Sequence, residues 1–130
     1  MLLFSVAGFQ VAVAAGAPWG RWTQGGTAPG VLPQPQRVAA VASAGLLVTW
    51  GGALLGRVGE GPMRDAHPRL VAGLSYSAAA YAVLGTVVNA LSRSPHERAL
   101  WTPVSAVIAG LSIVTVRGSR RGGSAEAPTR

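Results

Sequence analysis

Ser92, Ser94, His96 and Glu97 fall within the run Ser-Arg-Ser-Pro-His-Glu, with Arg98 next. A hydroxyl, an imidazole and a carboxylate this close are the ingredients of an activated nucleophile, or of half a metal site. The spacing argues against both. His96 and Glu97 are adjacent, so on a helix they point about 100° apart and do not share a face as an i, i+4 ligand pair would. The second histidine, His67, sits in a different polar segment. With no cysteine in the chain, thiolate catalysis, disulfides and Cys-based metal centres are excluded.

A structural reading fits the same residues better. Ser94-Pro95-His96-Glu97 has the form S-x-x-E with proline at the first helical position, which is a capping box. Ser94 is expected to accept from the backbone N–H of Glu97, and Glu97 to reach back to the N–H of Ser94. A helix should therefore start at Pro95, with Glu97 near the positive end of its dipole. No catalytic group, no metal ligand and no cofactor site is assigned.

The elements that position this knot follow from composition. Of 130 residues, 49% are hydrophobic and 12% charged, where a soluble domain carries roughly a quarter charged residues. The polar segments divide the rest into four spans at 2–17, 38–56, 70–91 and 95–116, none with a charged side chain inside its apolar run, which in the last begins at about Ala99. They are apolar or small all round, which suits burial in lipid better than a soluble bundle with one polar face per helix. The expected fold is all-α, one membrane bundle of four transmembrane helices over 1–116. The tail 117–130 has no large apolar residue beyond its start and is expected to be disordered. The first run is the shortest, slightly below the roughly 17 to 25 residues that a span needs. It is read as a retained helix. The alternative is a cleaved signal ending near Val13-Ala14-Ala15, which lacks a basic residue before the apolar run.

Charge gives the expected orientation. All eleven cations are arginines. With four alternating helices, Arg57, Arg64, Arg69, Arg117, Arg120, Arg121 and Arg130 share one side, and Arg21, Arg37, Arg93 and Arg98 the other. Seven against four predicts both termini in the cytoplasm of a bacterium, with the protein in its inner (plasma) membrane. The Pro- and Gly-rich first loop and the Ser-Pro-His-Glu turn should then form one outward surface. Its candidate interaction residues are Trp19, Arg21, Trp22, Arg93, His96, Arg98 and Trp101, with the tryptophans as interfacial anchors and the arginines on anionic headgroups. No nucleic-acid partner is expected from arginines placed this way.

Inside the spans, Gln10, Tyr81 and Asn89 are the candidate polar contacts, with Ser75, Tyr76 and Ser77 nearby on the third run. A carboxamide in lipid seeks an interhelical hydrogen bond. Gly52 with Gly56, and Ala106 with Gly110, are small residues four apart and are expected to let helices approach closely. Pro103 should disturb the last helix about two turns in. A proton-driven exporter of the small multidrug-resistance kind has a similar length but relies on a glutamate in its first helix, where this chain has Gln10.

The stretches "GAPWGRWTQGGTAPGVLP" and "NALSRSPHERALWTPV" resemble small four-helix membrane proteins found mainly in actinobacteria and other GC-rich bacteria. The matching residues are Gly16, Pro18, Trp19, Gly20, Gly25, Gly26, Pro33, Asn89, Ser92, Arg93, Glu97, Arg98 and Pro103. What the resemblance implies is a multi-pass inner-membrane protein whose first loop and third-to-fourth helix turn form the characteristic surface. It implies no activity. The leading expectation is a structural or accessory protein that binds a membrane-protein partner, or itself, through helix faces and the loop surface. The alternative is binding or transport of a small polar or lipid-like molecule near Gln10 and Asn89.

Overall fold

Four helices form in chain order: α1 (Leu2–Ala15), α2 (Gln34–Arg57), α3 (Pro68–Ala90) and α4 (Pro95–Gly122). The computed structural model describes residues 1–122, with side chains described through 118. The fold is all-α, as expected, and the described residues contain no strand. Three helices are long and apolar enough to cross a membrane, with mean hydropathies of 1.8, 1.5 and 1.8 for α2, α3 and α4. At 14 residues, α1 is the shorter apolar helix. Its length of about 21 Å falls short of a hydrocarbon core of roughly 30 Å.

Local chemistry sets the helix ends, and each differs a little from the limits of the apolar runs. α1 stops at Ala15 because Gly16 turns left-handed (φ 109°) and closes a Schellman motif: Gly16 N–H bonds the Val13 carbonyl and Ala17 N–H the Ala12 carbonyl. α2 begins four residues before its apolar run, with proline in its first turn, where the missing N–H costs nothing. His67 caps α3, its Nδ1 accepting from the Arg69 N–H at 3.3 Å. α4 starts at Pro95, as expected, and contains Pro103 without ending there.

The tail departs from expectation. Residues 117–122 continue α4 as helix rather than opening a disordered segment, because arginine is a good helix former and the end of an apolar run does not by itself end a helix. The remainder of the expected tail, 123–130, lies outside the described residues.

Packing makes two antiparallel hairpins, α1 on α2 and α3 on α4, which meet mainly along α2 and α3. The central core joins Leu3 and Ala7 of α1, Ala44, Leu47 and Trp50 of α2, Ala78 and Ala82 of α3, and Ile108 and Ala109 of α4. Small residues do bring elements close, but not the expected pairs. At Gly51 a β-carbon would lie 2.7 Å from the Phe4 ring, so α1 sits against α2 there. At Gly56 it would lie 2.7 Å from the Met63 carbonyl oxygen, so the Gly52/Gly56 pair seats the second loop rather than another helix. Ala106 and Gly110 point outward, and Gly110 has no neighbour at its β position.

Two arginines are used as internal clamps. Arg37 Nε donates to the Ala14 carbonyl at 2.7 Å, satisfying an orphan acceptor at the end of α1. Arg57 ties the end of α2 to α4 by donating to the Val116 carbonyl at 3.2 Å.

Candidate functional site

An even number of antiparallel helices places the first loop and the α3–α4 turn at the same end of the bundle, and there they are bonded to each other. Glu97, only 8% exposed, is the centre of the contact. One carboxylate oxygen accepts from the Gly25 N–H at 3.1 Å, and the other from the Ser92 hydroxyl at 2.6 Å. The Ser94 hydroxyl accepts from the Glu97 N–H at 3.3 Å, so one half of the capping box forms as expected. The other half does not. The Ser94 N–H is taken by Ser92 Oγ at 3.3 Å, which leaves Glu97 free to reach across to the first loop.

The loop is shaped to receive it. Two short 3-10 turns, Gly20–Trp22 and Gln24–Gly26, carry the chain across the bundle end. Gly25 and Gly26 both take left-handed φ, 77° and 68°, which a side chain would strain. At Gly26 a β-carbon would also lie 2.7 Å from Ser94 Oγ. The Gly26 backbone therefore sits directly on the Ser94 side chain, and two further bonds hold loop and turn together: Ser94 Oγ donates to the Arg21 carbonyl at 3.4 Å, and the Trp101 indole N–H donates to the Trp22 carbonyl.

Aromatic rings complete this plug. Phe9 of α1 stacks on Trp19 (5.7 Å between centroids) and meets the edge of Trp101 (4.9 Å). Trp22 tilts against His96 at 4.9 Å. Such pairs add about 0.5 to 1.5 kcal/mol each beyond area burial. Of the seven residues expected on this surface, Trp19, Arg21, Trp22, His96 and Trp101 are linked by these contacts. Arg98 is exposed and donates to the Ser92 carbonyl at 3.1 Å, while Arg93 is exposed beside it. Neither arginine forms an ion pair with Glu97. The hydroxyls of Ser92 and Ser94 are engaged by Glu97 and Arg21, and neither is bonded to His96.

Beneath the plug, between the two hairpins, lies a cavity of about 310 Å³, at the low end of small-molecule sites. Gln10, Tyr81 and Asn89 all line it, together with Glu97 and Trp101 at its plugged end. Asn89 makes the interhelical bond expected of it, Nδ2 donating to Ser105 Oγ of α4 at 2.9 Å, a contact worth roughly 0.6 to 1.7 kcal/mol in lipid. Gln10 does not. Its Oε1 is buried and has no hydrogen-bond partner. Tyr81 packs its ring on Trp50 at 4.7 Å, and Trp50 is fixed by donating its N–H to Ser77 Oγ at 3.0 Å.

The cavity is open sideways. Tyr81, Leu84 and Val88 line it while remaining 50%, 60% and 58% exposed on the outside of α3. Its deeper wall is apolar, with Leu3, Leu47, Ala78 and Ile108. Among its described lining residues, Glu97 is the one charged group. The arrangement can hold a molecule that has an apolar part against the bundle core and a polar part near Gln10 and Glu97. The described residues contain no cluster of three or more His, Asp or Glu side chains placed to hold a metal ion.

Spacing along the chain pointed to Gln10, Tyr81 and Asn89 by polarity, but assigned Glu97 only to a cap. The signal that it does more is the Gly25-Gly26 pair, whose left-handed backbone exposes an N–H that needs an acceptor. Comparison with protein-family models, with curated proteins and with solved structures gives no match to this chain, so the functional reading rests on the geometry described above.

Proposed function

We propose that this protein is a multi-pass protein of the bacterial inner membrane that binds a small amphiphilic molecule, taken up from the bilayer into the cavity between its hairpins. The single observation that carries the reading is the laterally open cavity, apolar on its deeper wall and lined by Gln10, Asn89 and Glu97 towards the plug. The sideways opening allows exchange of the molecule with the surrounding lipid and requires no chemical step. The test is the intact mass of the purified protein in native nanodiscs. A stoichiometric amphiphile, lost in a Gly85→Leu variant that fills the cavity, is the expected result. Wild-type protein without a bound small molecule overturns it.

A second reading is an accessory subunit that packs on a partner membrane protein or on a second copy. It is favoured by the outward Ala106 and Gly110 on α4, small exposed residues four apart, the second with no atom near its β position. A stoichiometric second protein in the same mass measurement supports it.

The arginine bias supports an orientation with both termini in the cytoplasm and the plug outside. Thr27→Cys and Arg93→Cys, both at exposed positions of the plug, should then react with an impermeant maleimide on intact cells, while Glu60→Cys in the second loop should not. Labelling of Glu60→Cys alone would invert the topology.

A further inference from the structure

Building on the amphiphile reading above, we infer that the molecule bound in this cavity carries a protonated amine as its polar head, rather than a phosphate, sulfate or carboxylate. The lining sets this preference. Glu97 is the one charged group among the described lining residues, and no arginine or histidine faces the cavity. Glu97 is buried, forms no ion pair with Arg93 or Arg98, and accepts two hydrogen bonds. A carboxylate offers about four acceptor positions, so two remain. The Gln10 side chain, whose Oε1 has no hydrogen-bond partner, lines the same cavity and adds no charge to it.

Three of the nearby N–H groups are already committed. The indole N–H groups of Trp50 and Trp101 point to Ser77 and to the Trp22 carbonyl, and Asn89 Nδ2 is bonded to Ser105. An ammonium brings three donors and a positive charge to a carboxylate that has spare acceptor positions and no cation beside it. An anionic head would instead meet an uncompensated carboxylate in a low-dielectric site, which is a repulsive element against it. The alkyl part of the same molecule would lie along Leu47, Ala82 and Ile108 and leave between α3 and the lipid at Leu84.

The experiment compares three single-chain probes of equal length, dodecylamine, dodecanol and dodecanoate, titrated into the full-length protein in phosphatidylcholine nanodiscs. Binding is read as the change in tryptophan fluorescence, with the Gly85→Leu variant setting the background from partition into lipid. Dodecylamine is expected to bind at least tenfold more tightly than dodecanoate, with dodecanol between them. Because Glu97 also holds the first loop, two variants are used: Glu97→Gln should remove most of the amine preference, and Gln10→Leu, which leaves the loop contacts intact, should weaken amine binding severalfold. If dodecanoate binds as tightly as dodecylamine and Gly85→Leu abolishes both, the amine assignment is wrong while the cavity reading stands. If no probe shows binding that Gly85→Leu removes, both are wrong.

Discussion

Replacing Glu97 with alanine is expected to release the first loop from the end of the bundle and to cost roughly 3 to 6 kcal/mol, the sum of two hydrogen bonds to a charged acceptor at about 1.5 to 3 kcal/mol each. That is a large share of a typical total stability of about 5 to 15 kcal/mol. The Gly25 N–H and the Ser92 hydroxyl both lose their acceptor in a partly buried contact, the buried partner being Glu97 itself. Glu97→Gln should fall between alanine and the native protein. Its amide oxygen can still accept from one of the two donors, but its NH2 group then faces the other. The check is the thermal midpoint in mild detergent, together with trypsin cleavage after Arg21, which should be slow in the native protein and fast in the alanine variant. Equal cleavage in both would mean that Glu97 does not hold the loop.

Gly20→Ala should act on the same plug from the opposite side. Gly20 is buried, and its N–H closes the loop by donating to the Gly30 carbonyl at 2.8 Å. A β-carbon there would lie 2.5 Å from the Ala28 carbonyl oxygen and 2.6 Å from that of Gly30. Both are main-chain atoms, so no rotamer change relieves the clash and the loop itself must open. Overpacking of this kind costs about 1 to 3 kcal/mol. The expected readouts are a lower thermal midpoint and a changed tryptophan emission, since Trp19 and Trp22 flank the pinch and stack on Phe9 and His96. An unchanged midpoint would show that Gly20 and Gly30 are not held together in solution. The two variants are distinguishable: Glu97→Ala leaves the Gly20–Gly30 closure in place, whereas Gly20→Ala leaves the carboxylate present but misaligns the N–H it accepts.

Both predictions concern contacts that local spacing could not supply. Glu97 and Gly25 are 72 positions apart, and Trp101 and Trp22, joined by a similarly long-range bond, are 79 apart. Reading Ser94-Pro95-His96-Glu97 as a capping box was correct for the Ser94 hydroxyl and for the start of α4, because those bonds join residues within one turn. It misplaced the carboxylate, because a side chain that can satisfy either a local donor or a distant one is decided by which donors the fold brings near. Gly52 and Gly56 carry the same lesson. Their spacing encodes a smooth surface, but whether a helix or the Met63 backbone occupies it depends on how the second loop returns.

By itself, the sequence determined that the chain makes four apolar helices, where they lie to within a few residues, and that one end carries a Trp- and Gly-rich loop opposite a charged turn. Those properties are local: hydropathy summed over about twenty residues and cap chemistry within a single turn. The tertiary structure alone decided that Asn89 would pair with Ser105 while Gln10 would be left without a partner, and that Glu97 would fasten the loop. It also decided that a cavity would remain between two hairpins joined mainly along α2 and α3. In lipid every helix satisfies its own backbone, so the positions of helices relative to one another rest on side-chain packing and a few polar pairs. Those pairs form between residues far apart in the chain, where no periodicity announces them.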